Sequence, residues 1–317
     1  MFARSAGVLG LAVAAAGGDV SQPASAEPLN VVASFSILGD MVAEVGRNHV
    51  HVRTLVGPNG DAHVHEPSPA DARDTASARL VVVNGLGLEG WLNRLIEASG
   101  YSGLVAVASQ GVAPLDLAAE GAGGIPVGDE GSTRDDARAH GAIDPHAWQS
   151  VANAEIYIRN IAAALCNADP GNCGDYRSNA TAYTAGLREM DAAIRAGFAA
   201  LPAEKRKVIT THDAFGYFAR EYGVTFLAPV GISTEAEASA ADVAALINQI
   251  RAEGVTAIFF ENVSDPRLIE QIASETGGRP GGELYSDALS PADGPAATYV
   301  EMMRHNAALL QSAMLGS

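Results

Sequence analysis

The sequence predicts an α/β protein of two lobes, each built on a parallel sheet, joined by one long backbone helix. Short apolar runs of strand character alternate with stretches of helical periodicity, the pattern of strands linked by crossover helices and covered on both faces. The alternation occurs on each side of mid-chain. Between the halves, Tyr176 to Ala200 runs without proline and places Leu187, Met190, Ile194 and Phe198 at three- and four-residue spacing. That stretch reads as a single helix acting as a rigid strut.

Size and charge bound what such a chain can do. Its 317 residues are 48% apolar, enough for two domains of ordinary size with a substantial core. The expected division is an N-terminal α/β lobe over 27–174, a linking helix over 175–202 and a C-terminal α/β lobe over 203–317. A formal net charge of −17 with no cluster of Lys or Arg excludes nucleic acid as a partner, because a phosphate backbone needs a basic face.

Residues 1–26 read as a cleavable signal peptide. Arg4 precedes an apolar run from Ala6 to Ala16, and Ala24-Ser25-Ala26 has the small-x-small form of a processing site. The run is too short to span a bilayer. With no cysteine near the processing point, the mature protein is expected to be periplasmic and without a lipid anchor. Cys166 and Cys173 enclose the turn-rich Asn-Ala-Asp-Pro-Gly-Asn, and in an oxidising compartment they are expected to form a disulfide rather than remain free thiols.

In order, Asn30 to Phe35 is a strand, Ile37 to Val45 a helix with Met41, Val42 and Val45 on one face, and His51 to Val56 a second strand ending in Gly57-Pro58-Asn59-Gly60. Pro69 to Ala78 reads as a helix and Leu80 to Asn84 as a buried strand. From Leu117 to Ile143 the pattern dissolves into Gly, Ala, Asp and Glu without apolar periodicity, a long mobile loop. A helix from about Val151 to Cys166 follows. Beyond the linking helix come strands Lys207 to Thr211, Thr225 to Ala228, Ala257 to Glu261 and Glu283 to Ser286. Helices Phe215 to Tyr222, Ala240 to Ala252, Asp265 to Thr276 and Ala297 to Leu315 lie between and after them. In such folds ligands bind in the cleft outside the carboxyl ends of the strands.

Chemistry-bearing residues fall at those ends. The second strand leads into Asp61-Ala62-His63-Val64-His65-Glu66-Pro67-Ser68-Pro69-Ala70-Asp71, whose prolines stiffen the backbone behind two imidazoles. His146 opens the segment after the loop, His212 follows Thr210-Thr211, and Asp287 follows Tyr285-Ser286. Each has an ordinary reading: a polar loop for His63 and His65, a helix cap for His146, a core histidine for His212, a turn cap for Asp287. Together they supply N and O donors from both lobes, a closed tetrahedral shell suited to Zn²⁺, whereas oxygen-rich shells suit Mn²⁺ or Ca²⁺. His65 competes with His63 for the first position. His51, His140 and His305 read as surface residues, with His140 placed in the acidic loop where it can touch a metal in transit.

These residues resemble the periplasmic zinc and manganese solute-binding proteins of ABC importers, the ZnuA type. Asp61 to Pro69 is similar to the family element Asp-Pro-His-x-x-Glu-Pro-Ser/Thr-Pro, with Ala62 where the family has proline. Asp144-Pro145-His146-Ala147-Trp148 resembles the second element, Thr211-His212-Asp213-Ala214-Phe215-Gly216-Tyr217-Phe218 the third, and Asp287 the last, so the likeness runs from about Val31 to the C-terminus. The resemblance implies His63, His146, His212 and Asp287 as metal ligands in an inter-lobe cleft, with limited hinge motion. Asp61, His65, Glu66 and His140 are the residues expected beside that shell or on the loading route. It also implies zinc, because manganese members carry Glu in the third position, where this chain has His212. The acidic 117–143 stretch departs from the histidine-rich loop of many zinc members.

The function implied is capture of Zn²⁺ in the periplasm and delivery to an ABC transporter permease, by a monomer that a periplasmic zinc metallochaperone can load, with no catalysis. One alternative is a manganese-binding member of the same family. A metal-buffering protein of the same fold without a transporter is another. A third is a zinc-dependent hydrolase with Glu66 or Asp213 as base, against which stand the fourth ligand and the lack of a His-Glu-x-x-His motif.

Overall fold

A computed structural model describes residues 27–116, 143–235, 238–255 and 257–316. Residues 1–26 and 117–142, and with them the expected signal peptide, the acidic loop and His140, lie outside the described residues. In the N-terminal half, β1 (Leu29–Phe35) is central because all but one of its residues are buried. It pairs in parallel with β2 (Val50–Val56) on one side and β3 (Leu80–Val83) on the other, and β4 (Leu104–Val107) pairs in parallel with β3. The order is β2-β1-β3-β4. Helices α1 (Ser36–Gly46), α2 (Pro69–Ser77) and α3 (Leu92–Ser99) make the crossovers.

β5 (Leu115–Asp116) and β6 (Ile143–Asp144) form a short antiparallel pair that closes the base of the acidic stretch, so Ile143, expected in the loop, belongs to a strand. Helix α4 (Val151–Ala168) then runs to the Cys166–Cys173 disulfide, and α5 (Cys173–Ala199) begins at the second cysteine. At 27 residues α5 is about 40 Å long. It buries Leu187, Met190, Ile194 and Phe198, the predicted stripe, together with Tyr176. Near its start Asn179 bonds the Val45 carbonyl of α1, and toward its end Asp191 accepts from Tyr222 of the second half. The helix therefore ties one half to the other.

The second half repeats the first. β7 (Lys207–Ile209), β8 (Thr225–Leu227), β9 (Ala257–Glu261) and β10 (Arg279–Leu284) form a parallel sheet in the order β10-β9-β7-β8. Read from the other edge, that is the same order as the first sheet. In each sheet the first and third strands are adjacent, and their carboxyl ends flank a topological switch point. Helices α6 (Gly216–Tyr222), α7 (Ala240–Glu253) and α8 (Arg267–Thr276) cross over, and α9 (Tyr299–Gly316) returns across the sheet. One apolar cluster runs from Leu29 through α4 and α5 to Met314, joining the inner faces of both halves. The outer face of the second sheet has its own core around Ile209, Ile258 and Ile272.

Two further parts differ from the sequence reading. Helix α3 and strand β4 were not expected, since α3 buries only Leu95 and β4 is a half-exposed four-residue edge, leaving little periodic signal. β10 starts at Arg279 and stops at Leu284, where the sequence suggested Glu283 to Ser286. Its Pro280 and Gly281-Gly282 are poor strand formers, tolerated because the strand is an edge with a bulge that leaves Gly281 unpaired, and the φ of +115° at Gly282 suits glycine.

Candidate metal centre

The turn after β2 brings His63 to the cleft. Ser68 caps α2 in a reciprocal capping box with Asp71, and Pro69 takes the first helical position, so the preceding residues cannot join the helix. The rigidity that Ala62 forgoes by not being proline is supplied by hydrogen bonds. Trp91 Nε1 donates to the Ala62 carbonyl at 2.8 Å, and the His63 amide donates to Asp61 Oδ1 at 2.8 Å.

His146 sits between β6 and a short helical turn, Ala147–Gln149, and is fully buried. Asp144, two residues before it, accepts from its amide at 2.8 Å and lies 2.7 Å from its Nδ1. That contact assigns a proton to Nδ1, so that Nε2 is the nitrogen that faces the other donors. Gly216 permits this arrangement, since a Cβ there would stand 2.5 Å from Asp144 Oδ2.

His212 follows β7 and is held by Glu261, the last residue of β9. Glu261 Oε1 accepts from the amides of Thr211 and His212 at 2.8 and 2.9 Å, and its Oε2 lies 2.5 Å from His212 Nδ1. That contact is an ion pair rather than a hydrogen bond of sound geometry, and Nε2 is the nitrogen that faces the other donors. Neither Asp144 nor Glu261 was picked out in the sequence. The Asp-x-His spacing shared by Asp61-His63 and Asp144-His146 was the available signal for the first. Glu261, 49 residues from His212, had none beyond being a charged end to an apolar strand.

The donors converge. One ligand atom from each of His63, His146, His212 and Asp287 lies within 4.8 Å of every other. Asp287 Oδ2 is 3.1 Å from His212 Nε2 and 3.6 Å from His63 Nε2, Oδ1 is 3.4 Å from His146 Nε2, and the Nε2 atoms of His63 and His146 are 3.1 Å apart. His63 keeps 7% exposure and the other three none. Neither carboxylate oxygen of Asp287, nor Nε2 of His212, makes a hydrogen bond of sound geometry. An ionised carboxylate so buried is costly unless a cation compensates it.

In the metal-free state the imidazoles take that role. Burial opposes the charged form of His146 and His212, yet Asp287 with Asp144 at the first, and Glu261 with Asp287 at the second, raise both above the ordinary imidazole value. Burial would likewise raise Asp287, but His146 and His212 hold it well below the usual carboxylate range. A divalent cation would take the place of those protons.

Other expected residues stand apart from this cluster. His65 turns to Asp71, 3.5 Å away, and packs edge-on against Trp91. Glu66 is exposed on a surface groove with Ser68 and Arg94. Asp61 touches His63 as described and also accepts from Thr234 Oγ1 of the second half at 2.6 Å. A cavity of about 510 Å³ is bordered by His212, Asp61, Thr211 and Thr234. His305, expected at the surface, is half-buried and bonded to the Glu283 carbonyl.

The family description "Zinc-uptake complex component A periplasmic" (ZnuA) matches residues 31–313. The iron-binding protein YfeA of Yersinia pestis is 31% identical over 279 residues, spanning 88% of this chain and 84% of the relative. The manganese-binding lipoprotein MntA of Bacillus subtilis is 30% identical over 300 residues, 93% of this chain and 92% of the relative. The solved structure of the periplasmic zinc-binding protein TroA of Treponema pallidum superposes with a TM-score of 0.79 at 31% identity, covering 91% of this chain and 99% of that one. The TroA structure shares the architecture of two parallel-sheet lobes, and the three relatives differ in the metal for which they are named.

Proposed function

The chain belongs to the ZnuA family of periplasmic metal-uptake components, and from that premise we propose that it captures Zn²⁺ outside the inner membrane and delivers it to the permease of an ABC transporter. The observation that carries this reading is the convergence of three buried imidazoles and one buried carboxylate on a single point. A tetrahedron with bonds of about 2.0–2.1 Å has edges of roughly 3.3 Å. The donor spacings of 3.1, 3.4 and 3.6 Å bracket that edge. Borderline-soft nitrogen donors suit Zn²⁺, while Mn²⁺ favours more oxygen.

Cargo rather than catalysis follows from the closed shell. Four protein donors leave no position for a reacting water, which a hydrolytic zinc site keeps open. Uptake requires neutral imidazoles, and the contacts of Asp144 and Glu261 to Nδ1 keep both Nε2 lone pairs aimed at the ion. Release follows when the lobes part and the shell loses a donor.

A second reading, manganese or iron as cargo, is favoured by MntA and YfeA, named for those metals at similar identity. Because Zn²⁺ outranks Mn²⁺ and Fe²⁺ at almost any such site, an affinity ratio does not decide between them. Metal analysis of untagged protein purified from the periplasm does. One zinc per chain, lost in Asp287→Ala, is the expected result, and manganese or iron in its place would overturn the reading.

A further inference from the structure

Asp287 lies beyond β10, in the second half of the chain, yet the backbone around it is tied to the first. The Ser286 carbonyl accepts two hydrogen bonds from the segment carrying His146: Trp148 Nε1 donates at 2.9 Å and Gln149 Nε2 at 2.8 Å. The Leu289 amide donates to Ser36 Oγ at the start of α1 at 2.9 Å, and the Leu289 carbonyl accepts from the Asn59 amide at 3.0 Å. Farther along, the Tyr299 amide donates to Asp40 Oδ2 at 2.9 Å and its hydroxyl to the Trp148 carbonyl at 2.7 Å. Up to Tyr285 the chain is tied to the second half, by the Asn262 amide to the Leu284 carbonyl at 3.1 Å and by two bonds between Tyr285 and Asn306 of α9. From Ser286 onward the tie to the second sheet is Asn262 Nδ2 to the Ala288 carbonyl at 3.2 Å. His212 is fastened differently, through Glu261 and a bridge to Val230, all within its own lobe.

We propose that Asp287 belongs mechanically to the N-terminal lobe, with Trp148 and Gln149 as its positioning residues, so that opening of the cleft withdraws His212 from a half-site of His63, His146 and Asp287 that stays assembled. This rests on the reading of the four residues as metal ligands. The division by chain order would be two donors per lobe, whereas the hydrogen bonds divide them three to one. Parting the lobes on the His212 side breaks one metal–nitrogen bond and the hydrogen bonds of Thr234 to Asp61, of Asn262 to Asn59 and Ala288, and of Tyr217 to Leu115 and Asp144, leaving the ion on three donors with a position free for an incoming ligand. An ion bound by three ligands and open at the fourth exchanges more readily than one in a closed shell. Six hydrogen bonds around Asp287 resist the alternative movement.

A double-mutant cycle read by Zn²⁺ titration against a chromophoric chelator tests this on the full-length, metal-free protein. Gln149→Met, nearly isosteric, removes one donor to Ser286. It is expected to weaken Zn²⁺ binding about ten-fold or more, the usual effect of losing a group that orients a ligand. The same loss is expected on a His212→Ala background and none on an Asp287→Ala background, because Gln149 acts only through Asp287. Ser36→Ala, which removes the acceptor for the Leu289 amide, provides the same cycle if Gln149→Met folds poorly. Amide exchange gives an independent readout: the amides of Asn59, Leu289 and Tyr299 should keep their protection when zinc is removed. An undiminished loss on the Asp287→Ala background, or exposure of those amides on metal removal, would overturn the proposal. If Asp287→Ala itself leaves Zn²⁺ affinity unchanged, the ligand assignment fails first and the proposal with it.

Discussion

Glu261→Gln isolates how much of the metal affinity depends on a residue that touches no metal. Glu261 is 1% exposed, and its two oxygens have separate tasks. Oε1 receives the amides of Thr211 and His212, and Oε2 faces His212 Nδ1 at 2.5 Å. Glutamine retains an acceptor for the amides but removes the charge that polarises and orients the imidazole. Loss of such a partner costs about 10- to 100-fold in metal affinity, or roughly 1.4–2.7 kcal/mol. The same charge also holds a proton on His212 above the ordinary imidazole range in the metal-free protein, burial working against it. Zinc must displace that proton, so the wild type carries a handicap at low pH that the variant partly escapes. The affinity gap should therefore be widest in alkaline buffer and narrow as pH falls. Chelator competition across that range measures it directly. An unchanged affinity at every pH, or a gap that grows on acidification, would refute the role assigned to Glu261.

Three further outcomes are expected. In His212→Glu a carboxylate replaces the imidazole against Glu261 and Asp287. Two unit charges about 4 Å apart cost roughly 4 kcal/mol at an effective dielectric constant near 20, so the metal-free variant should melt earlier. Its added oxygen should narrow the zinc-over-manganese ratio, and a ratio identical to wild type in competition titrations would place His212 outside the shell. Asp40, on α1 and facing the start of α9, has its pKa raised to about 6 by burial, with Glu44 and Glu301 adding to the effect. A raised carboxyl contributes stability below its unfolded value of 3.8 and loses it as pH climbs through about 6. Asp40→Asn, which keeps an acceptor for the Tyr299 amide, should gain up to about 3 kcal/mol at neutral pH and nothing near pH 4, as read by urea denaturation. Replacing Cys166 and Cys173 together by serine should cost about 2.5 kcal/mol in the chain-entropy picture. Two alkylatable thiols in the non-reduced protein would contradict the disulfide.

Much was legible before any coordinates because it depends on short-range regularities. The apolar alternation marks strands that must be buried on both faces, and Leu187, Met190, Ile194 and Phe198 mark the buried stripe of α5 through a period that needs no knowledge of the partner. His63, His212 and Asp287 stand out because each follows a strand, His146 because it opens the ordered segment after the loop, and the two cysteines because they bracket a turn. Where burial is slight the same regularity is faint, which is why α3 and the half-exposed β4 went unread. The support of the site is of another kind. Glu261 reaches His212 because β9 lies beside β7 in the sheet, and the neighbour of a strand is decided by packing. The attachment of Asp287 to the first lobe spans 137 residues at Gln149 and 253 at Ser36. Periodicity reports which side of an element faces inward. Hydrogen bonds between buried groups depend on what the assembled fold places opposite them, and only the tertiary structure decides that.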